Sequence, residues 1–151
     1  PGFIKEHLDA AVAAGAKLLA GGESDGNVFQ PTAVADVTES MSLFKTELFG
    51  PVASIIKADD HEHAVALAND VDYGLSSAVI TNDLQKTWYC IENLEIGMVH
   101  INGPSVRDEP VIPFGGVKGS SHGREGGHFS IDECTELKWV TMQVGKNGYP
   151  F

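Results

Sequence analysis

From Val52 onward the chain alternates short apolar runs with segments of helical periodicity, and this order limits the possible folds more than any other feature. Val52 to Ala58, Ser76 to Thr81 and Met98 to Asn102 read as strands, with helices at Asp60 to Asn69 and Asp83 to Leu94 between them. The order is βαβαβ. "ASII" and "SAVI" are nearly continuous apolar stretches, as expected of parallel strands covered on both faces. In the first helix Ala64, Leu67, Ala68 and Val71 form the expected inner stripe, and Asp59 with Glu62 resembles a capping box. The second helix is expected to be capped by Asn82 and to turn Leu84, Trp88 and Ile91 to one face. The expected class is α/β, a parallel sheet with covering helices.

Other elements flank this unit. Ile4, Leu8, Ala11 and Val12 recur at helical spacing and Gly15 supplies a left-handed end. Ala16 to Ala20 and Phe29 to Val37 read as further strands. After Asn102 comes a long loop rich in Gly and Pro, then a short helix over Phe129 to Thr135 and a last strand over Leu137 to Val144. The first residues already read as helix interior and lack an initiator Met, so Pro1 is read as a cut rather than a natural start. Open α/β sheets place ligands in the loops that leave the strands' C-terminal ends, which directs attention to the loop after Asn102.

A formal charge of −11, with no cluster of Lys or Arg, argues against nucleic acid as a partner. No apolar stretch approaches the roughly 20 residues of a membrane helix, and the first ten residues lack the pattern of a signal peptide. The chain reads as soluble and cytoplasmic, with no membrane partner. Cys90 and Cys134 are not closely spaced, which fits a reducing compartment, and each reads as a small buried side chain rather than a nucleophile.

His61 and His63 would point to different sides of their helix, so no metal site is expected. "GGVKGSSHG" carries a lysine among glycines but lacks the Gly-Lys-Ser/Thr ending of a phosphate loop. "KTELFGPVASIIKA" is more informative. A carboxylate at Glu47 suits a vicinal diol such as ribose, and an aromatic ring at Phe49 suits a flat heterocycle. Composition alone favours Glu47 as a solvated loop acid and Phe49 as a core anchor.

"ELFGPVASI", "ALANDVDYGLSSAVIT", "GMVHING", "PFGGVKGSSHGREGG" and "TELKWVTMQV" follow one another in an order and spacing that resembles the C-terminal part of the aldehyde dehydrogenase superfamily. Within it, "HINGPSVRDEPVIPFGG" is similar to the bacterial branch for aromatic aldehydes, the vanillin, benzaldehyde and salicylaldehyde dehydrogenases. The resemblance implies that Glu47 binds the nicotinamide ribose, that Phe49 packs by the nicotinamide ring and that Phe114 lines the aldehyde tunnel. It implies NAD or NADP as cofactor, a small-molecule aldehyde as substrate and a homodimer or homotetramer. Residues 1–136 then correspond to the C-terminal part of the catalytic domain and 137–151 to an oligomerisation strand and tail. The family's catalytic cysteine, base glutamate and glycine-rich cofactor fold lie upstream of these motifs, so no catalytic residue maps onto this chain. The chain alone is expected to be inactive. The alternative is a non-catalytic assembly module derived from the same fold. One departure is Ser121, where members usually carry Gly, which asks whether a left-handed backbone is needed there.

Overall fold

Helix α1 (Gly2–Ala13) buries Ile4, Leu8 and Ala11, the stripe its spacing predicts. Val12, the fourth expected member, lies about 100° further round the helix from Ala11 and is 42% exposed. Gly15 takes φ +109° just beyond the helix, as a left-handed end requires. The computed structural model describes residues 1–146 and Gly148, so part of the expected tail lies outside the described residues.

Strand β1 (Lys17–Ala20) follows, then β2 (Ser24–Asp25) and β3 (Val28–Phe29), which form a small hairpin, and β4 (Thr32–Ala35). The single strand expected over Phe29 to Val37 is therefore two, because Pro31 has no N–H to give a continuous ladder. A four-residue helix, α2 (Ser42–Lys45), precedes β5 (Val52–Ser54). β4 pairs antiparallel with β1 and parallel with β5. Leu8 and Val34, both fully buried, centre a core that also holds Phe29, Val37, Met41 and Leu43.

Next come α3 (His61–Asn69), β6 (Tyr73–Gly74), β7 (Ser76–Val79), α4 (Leu84–Asn93) and β8 (Met98–Ile101), then β9 (Val117–Lys118) and α5 (Gly127–Cys134). The alternation of strand and helix is as read. β7 and β8 pair in parallel across α4. The continuous βαβαβ ladder is not formed: β5 pairs only with β4 and β7 only with β8 among the described residues, since a crossover does not oblige consecutive strands to be neighbours.

Both helix caps fall one residue later than expected. Asp60, not Asp59, accepts the His63 N–H at 2.8 Å, and Asp83, not Asn82, accepts from the N–H groups of Gln85 and Lys86. Those backbone donors hold the Asp83 carboxyl below the usual carboxylate range. The inner faces also differ from expectation. Val65 is the buried residue of α3 while Ala64 and Ala68 are exposed, and Cys90 is the buried residue of α4 while Leu84, Trp88 and Ile91 are exposed. Apolar periodicity finds a face without finding what it meets.

Leu137 to Val144 forms no strand among the described residues, where no other segment pairs with it. Its apolar side chains are exposed, Trp139 at 91%. Cys134 is likewise exposed, contrary to its reading as a buried thiol, because α5 contributes no buried residue. Cys90 is buried as read.

Candidate functional site

Glu47 and Phe49 sit on a short segment held at both ends. On one side Leu43 of α2 is buried in the core and Lys45 bonds Asp70 at 2.9 Å, just beyond α3. That carboxylate holds the Lys45 amine above its ordinary range, but both groups are exposed and the pair adds little stability. On the other side the Pro51 carbonyl accepts from Thr32 N–H at 2.8 Å, and Gly50 lies against Ile4 of α1. Leu48 between them packs on the core.

The result is a backbone that turns Phe49 outward. Its φ of +48° is a left-handed conformation costing a bulky residue roughly 1–2 kcal/mol, and the residue is 88% exposed. The core-anchor reading of Phe49 is thereby overturned. Glu47 is exposed, and its carboxylate has no hydrogen-bond or ion-pair partner among the described residues. It lines a cavity of about 520 Å³ together with Thr46, Tyr73, Leu75, Ser76 and Ser120. A carboxylate with all its acceptor positions open beside an exposed ring suits the diol and flat base of a nucleoside.

Phe114 is built from the long loop, the region selected by the strand-end rule. The Asn102 side chain continues the β8 ladder, donating to the Thr81 carbonyl and accepting from the Thr81 N–H, both at 2.9 Å. Further on, Phe114 and Glu125 exchange two backbone hydrogen bonds of 2.8 Å. Arg124 donates to the carbonyls of Gly116 at 2.6 Å and Gly123 at 2.9 Å. β9 pairs antiparallel with β6, which fastens the loop to the entry of β7. Phe114, half-buried, lines one cavity of about 420 Å³ with Leu75, Ser120 and Arg124, and another of about 390 Å³ with Leu75, Met98 and Val106.

Glu47 and Phe114 are far apart in sequence, yet their cavities share Leu75 and Ser120. Phe49 lines none of the three. Sequence reasoning missed Leu75 and Ser120. The signal available for Ser120 was its place in the glycine-rich block, whereas Leu75 looked like ordinary strand entry.

The remaining candidates resolve locally. Lys118 donates to the Asn69 carbonyl at 2.6 Å and pairs with Glu95 at 2.9 Å, so its amine is engaged at the C-terminal end of α3. Ser121 does not adopt positive φ, and its hydroxyl bonds the backbone of Gly123, so serine is accommodated where glycine is usual. His61 lies edge-on to Tyr89 and His63 beside Asp59, on different sides of α3 as its spacing required.

The family model "Aldehyde dehydrogenase family" matches residues 3–140. A vanillin dehydrogenase of Pseudomonas fluorescens is 45% identical over 97% of this chain and 30% of its own length. The crystal structure of a salicylaldehyde dehydrogenase from Pseudomonas putida G7, complexed with salicylaldehyde, superposes with a TM-score of 0.88 at 38% identity, over 98% of this chain and 31% of that one. An NAD-dependent aldehyde dehydrogenase from Sinorhizobium meliloti gives the same TM-score at 35% identity, over 99% of this chain and 30% of that one. The chain thus spans about 30% of the length of the relatives it matches. A family model matched from α1 to beyond α5, and solved relatives that superpose along nearly the whole chain, place this chain in the aldehyde dehydrogenase family.

Proposed function

We propose that this chain is the C-terminal part of an NAD(P)-dependent aldehyde dehydrogenase that oxidises an aromatic aldehyde to the carboxylic acid. In this reading Glu47 accepts hydrogen bonds from the nicotinamide ribose hydroxyls, Phe49 packs by the nicotinamide ring and Phe114 forms a wall of the aldehyde tunnel. The observation that carries it is the junction at Leu75 and Ser120, where the cavity of Glu47 meets that of Phe114. The vanillin and salicylaldehyde dehydrogenases among the relatives support the aromatic substrate. Overall, aldehyde, water and NAD(P)⁺ give carboxylate, NAD(P)H and two protons, the cofactor accepting the hydride. The residues of this chain bind and orient; the nucleophilic cysteine belongs to the rest of the complete enzyme, and neither Cys90 nor Cys134 fills that role. The chain alone is therefore inactive.

In the complete enzyme Phe114→Ala should change the ratio of kcat/KM for benzaldehyde against propanal by about tenfold, because a flat ring loses more wall contact than a short chain does. An unchanged ranking would remove Phe114 from the tunnel. If the complete wild-type enzyme fails to reduce NAD(P)⁺ with benzaldehyde or any other aldehyde, the reading itself falls.

Residues 137–144 support an additional role in assembly. An exposed apolar segment with unpaired backbone is an invitation to another chain. We assign 137–151 as the oligomerisation strand and tail of a homodimer or homotetramer, and 1–136 as the catalytic-domain part. Removing everything after Glu136 in the complete enzyme should lower its mass in solution, as measured by light scattering at matched concentration. A folded truncation of unchanged mass would rule this interface out. Association without turnover by the complete protein would instead favour the non-catalytic module. No helix among the described residues is long and apolar enough to cross a membrane, and we place the enzyme in the cytoplasm.

A further inference from the structure

Leu75 occupies the linker between β6 and β7, and it is common to all three cavities around the site, that of Glu47 and the two that Phe114 lines. An exposed leucine is ordinary on a protein surface. Leu75 differs in what holds it. Its carbonyl accepts from Met98 N–H at 3.0 Å, and the carbonyl of Gly74 before it accepts from Gly97 N–H at 3.0 Å. Gly74 N–H in turn donates to Ser120 Oγ at 2.9 Å. Gly74 has no room for a side chain, since a Cβ would lie 2.6 Å from the Glu95 carbonyl oxygen. On the other flank Gly116 comes so close that a Cβ there would stand 3.2 Å from Leu75 Cα. The backbone is fixed by strand, loop and glycine contacts, while the residue remains 40% exposed.

A rigid backbone presenting an apolar side chain at the meeting point of two ligand cavities is suited to hold two ligands at a set separation. Leucine has no hydrogen-bonding group to retain water, and its branched end can contact a flat ring on either side. Resting on the reading above, we propose that Leu75 touches both the nicotinamide ring and the aldehyde, and sets the distance and angle across which the hydride moves. Glu47 would fix the ribose and Phe114 the far end of the aldehyde; Leu75 fixes their relation to one another. The role is one of positioning, with no proton or bond change at Leu75 itself.

The test uses the complete enzyme with saturating NAD(P)⁺ and either benzaldehyde or benzaldehyde deuterated at the aldehyde carbon. Leu75→Ala should slow single-turnover NAD(P)H formation by about tenfold or more and bring out a larger deuterium isotope effect on kcat. The KM for NAD(P)⁺ should change by less than about threefold. Leu75→Met, which keeps volume and apolarity, should restore the rate to within about threefold of wild type. A packing role alone would lower stability without raising the isotope effect. If Leu75→Ala is insoluble, Leu75→Val decides by the same rate and isotope effect. Wild-type rate and isotope effect in the truncated variant, in an enzyme that Glu47→Gln does slow, would overturn Leu75 and leave the cofactor reading standing. A wild-type enzyme without NAD(P)⁺-dependent aldehyde oxidation would overturn both.

Discussion

Gly97→Ala is expected to lower the stability of the complete enzyme by about 3 kcal/mol or more, or to prevent it from accumulating in soluble form. A Cβ on Gly97 would stand 2.0 Å from the Gly115 carbonyl oxygen and 2.8 Å from Gly116 Cα. Both are backbone atoms of buried glycines, so no side-chain rotation relieves the collision. Nor can the loop retreat easily. Gly115 is itself packed so that a Cβ would meet the Gly123 carbonyl oxygen at 2.5 Å, and Arg124 with the Phe114–Glu125 bridge ties down the segment beyond. Displacing it would also pull on Gly97 N–H, which donates to Gly74. Thermal unfolding should show a fall of about 3 °C or more against a neutral control, Gly2→Ala, whose added methyl meets nothing within 4 Å. Equal melting temperatures for the two variants would mean that the β8 entry does not pack on the Phe114 loop as described.

That contact illustrates what was and was not legible in the sequence. The alternation of β5, α3, β7, α4 and β8 could be read because each element carries its own periodicity, and the buried face of α1 followed from Ile4, Leu8 and Ala11 alone. The caps were missed by one residue because Asp59 and Asp60, or Asn82 and Asp83, are equivalent as acceptors. The choice rests on which of them precedes the first helical turn in extended backbone. Sheet neighbours were not legible: local pattern marks β5 and β7 as strands but does not say that they pair with β4 and β8 rather than with each other.

The site divides in the same way. Residue type and spacing singled out Glu47 and Phe49, and the strand-end rule singled out the loop of Phe114. The junction through Leu75 and Ser120 depends on β6 pairing with β9, a long-range contact between two-residue strands with no sequence signature of their own. The outward turn of Phe49 depends on its positive φ, which no property of phenylalanine announces.

Glu47→Gln is the second large effect expected. Glu47 lines its cavity with both carboxylate oxygens free to accept, so a diol could be held by two charge-assisted hydrogen bonds. Glutamine keeps the size but offers one neutral acceptor and an NH₂ group that would face the second hydroxyl. The ribose should then be held loosely and the nicotinamide ring should leave its productive pose more often. A tenfold loss corresponds to about 1.4 kcal/mol of transition-state positioning, within reach of one weakened charged hydrogen bond. On the proposed reading overall cofactor affinity should change less, because Glu47 would hold only the nicotinamide ribose.

The most direct measurement is stopped-flow formation of NAD(P)H in a single turnover of benzaldehyde by the complete enzyme, comparing wild type with Glu47→Gln at saturating cofactor. We expect a single exponential rise in wild type and a rate constant at least about tenfold lower in Glu47→Gln, with an unchanged melting temperature. A variant that forms NAD(P)H at the wild-type rate would contradict the assignment of this segment as the cofactor clamp.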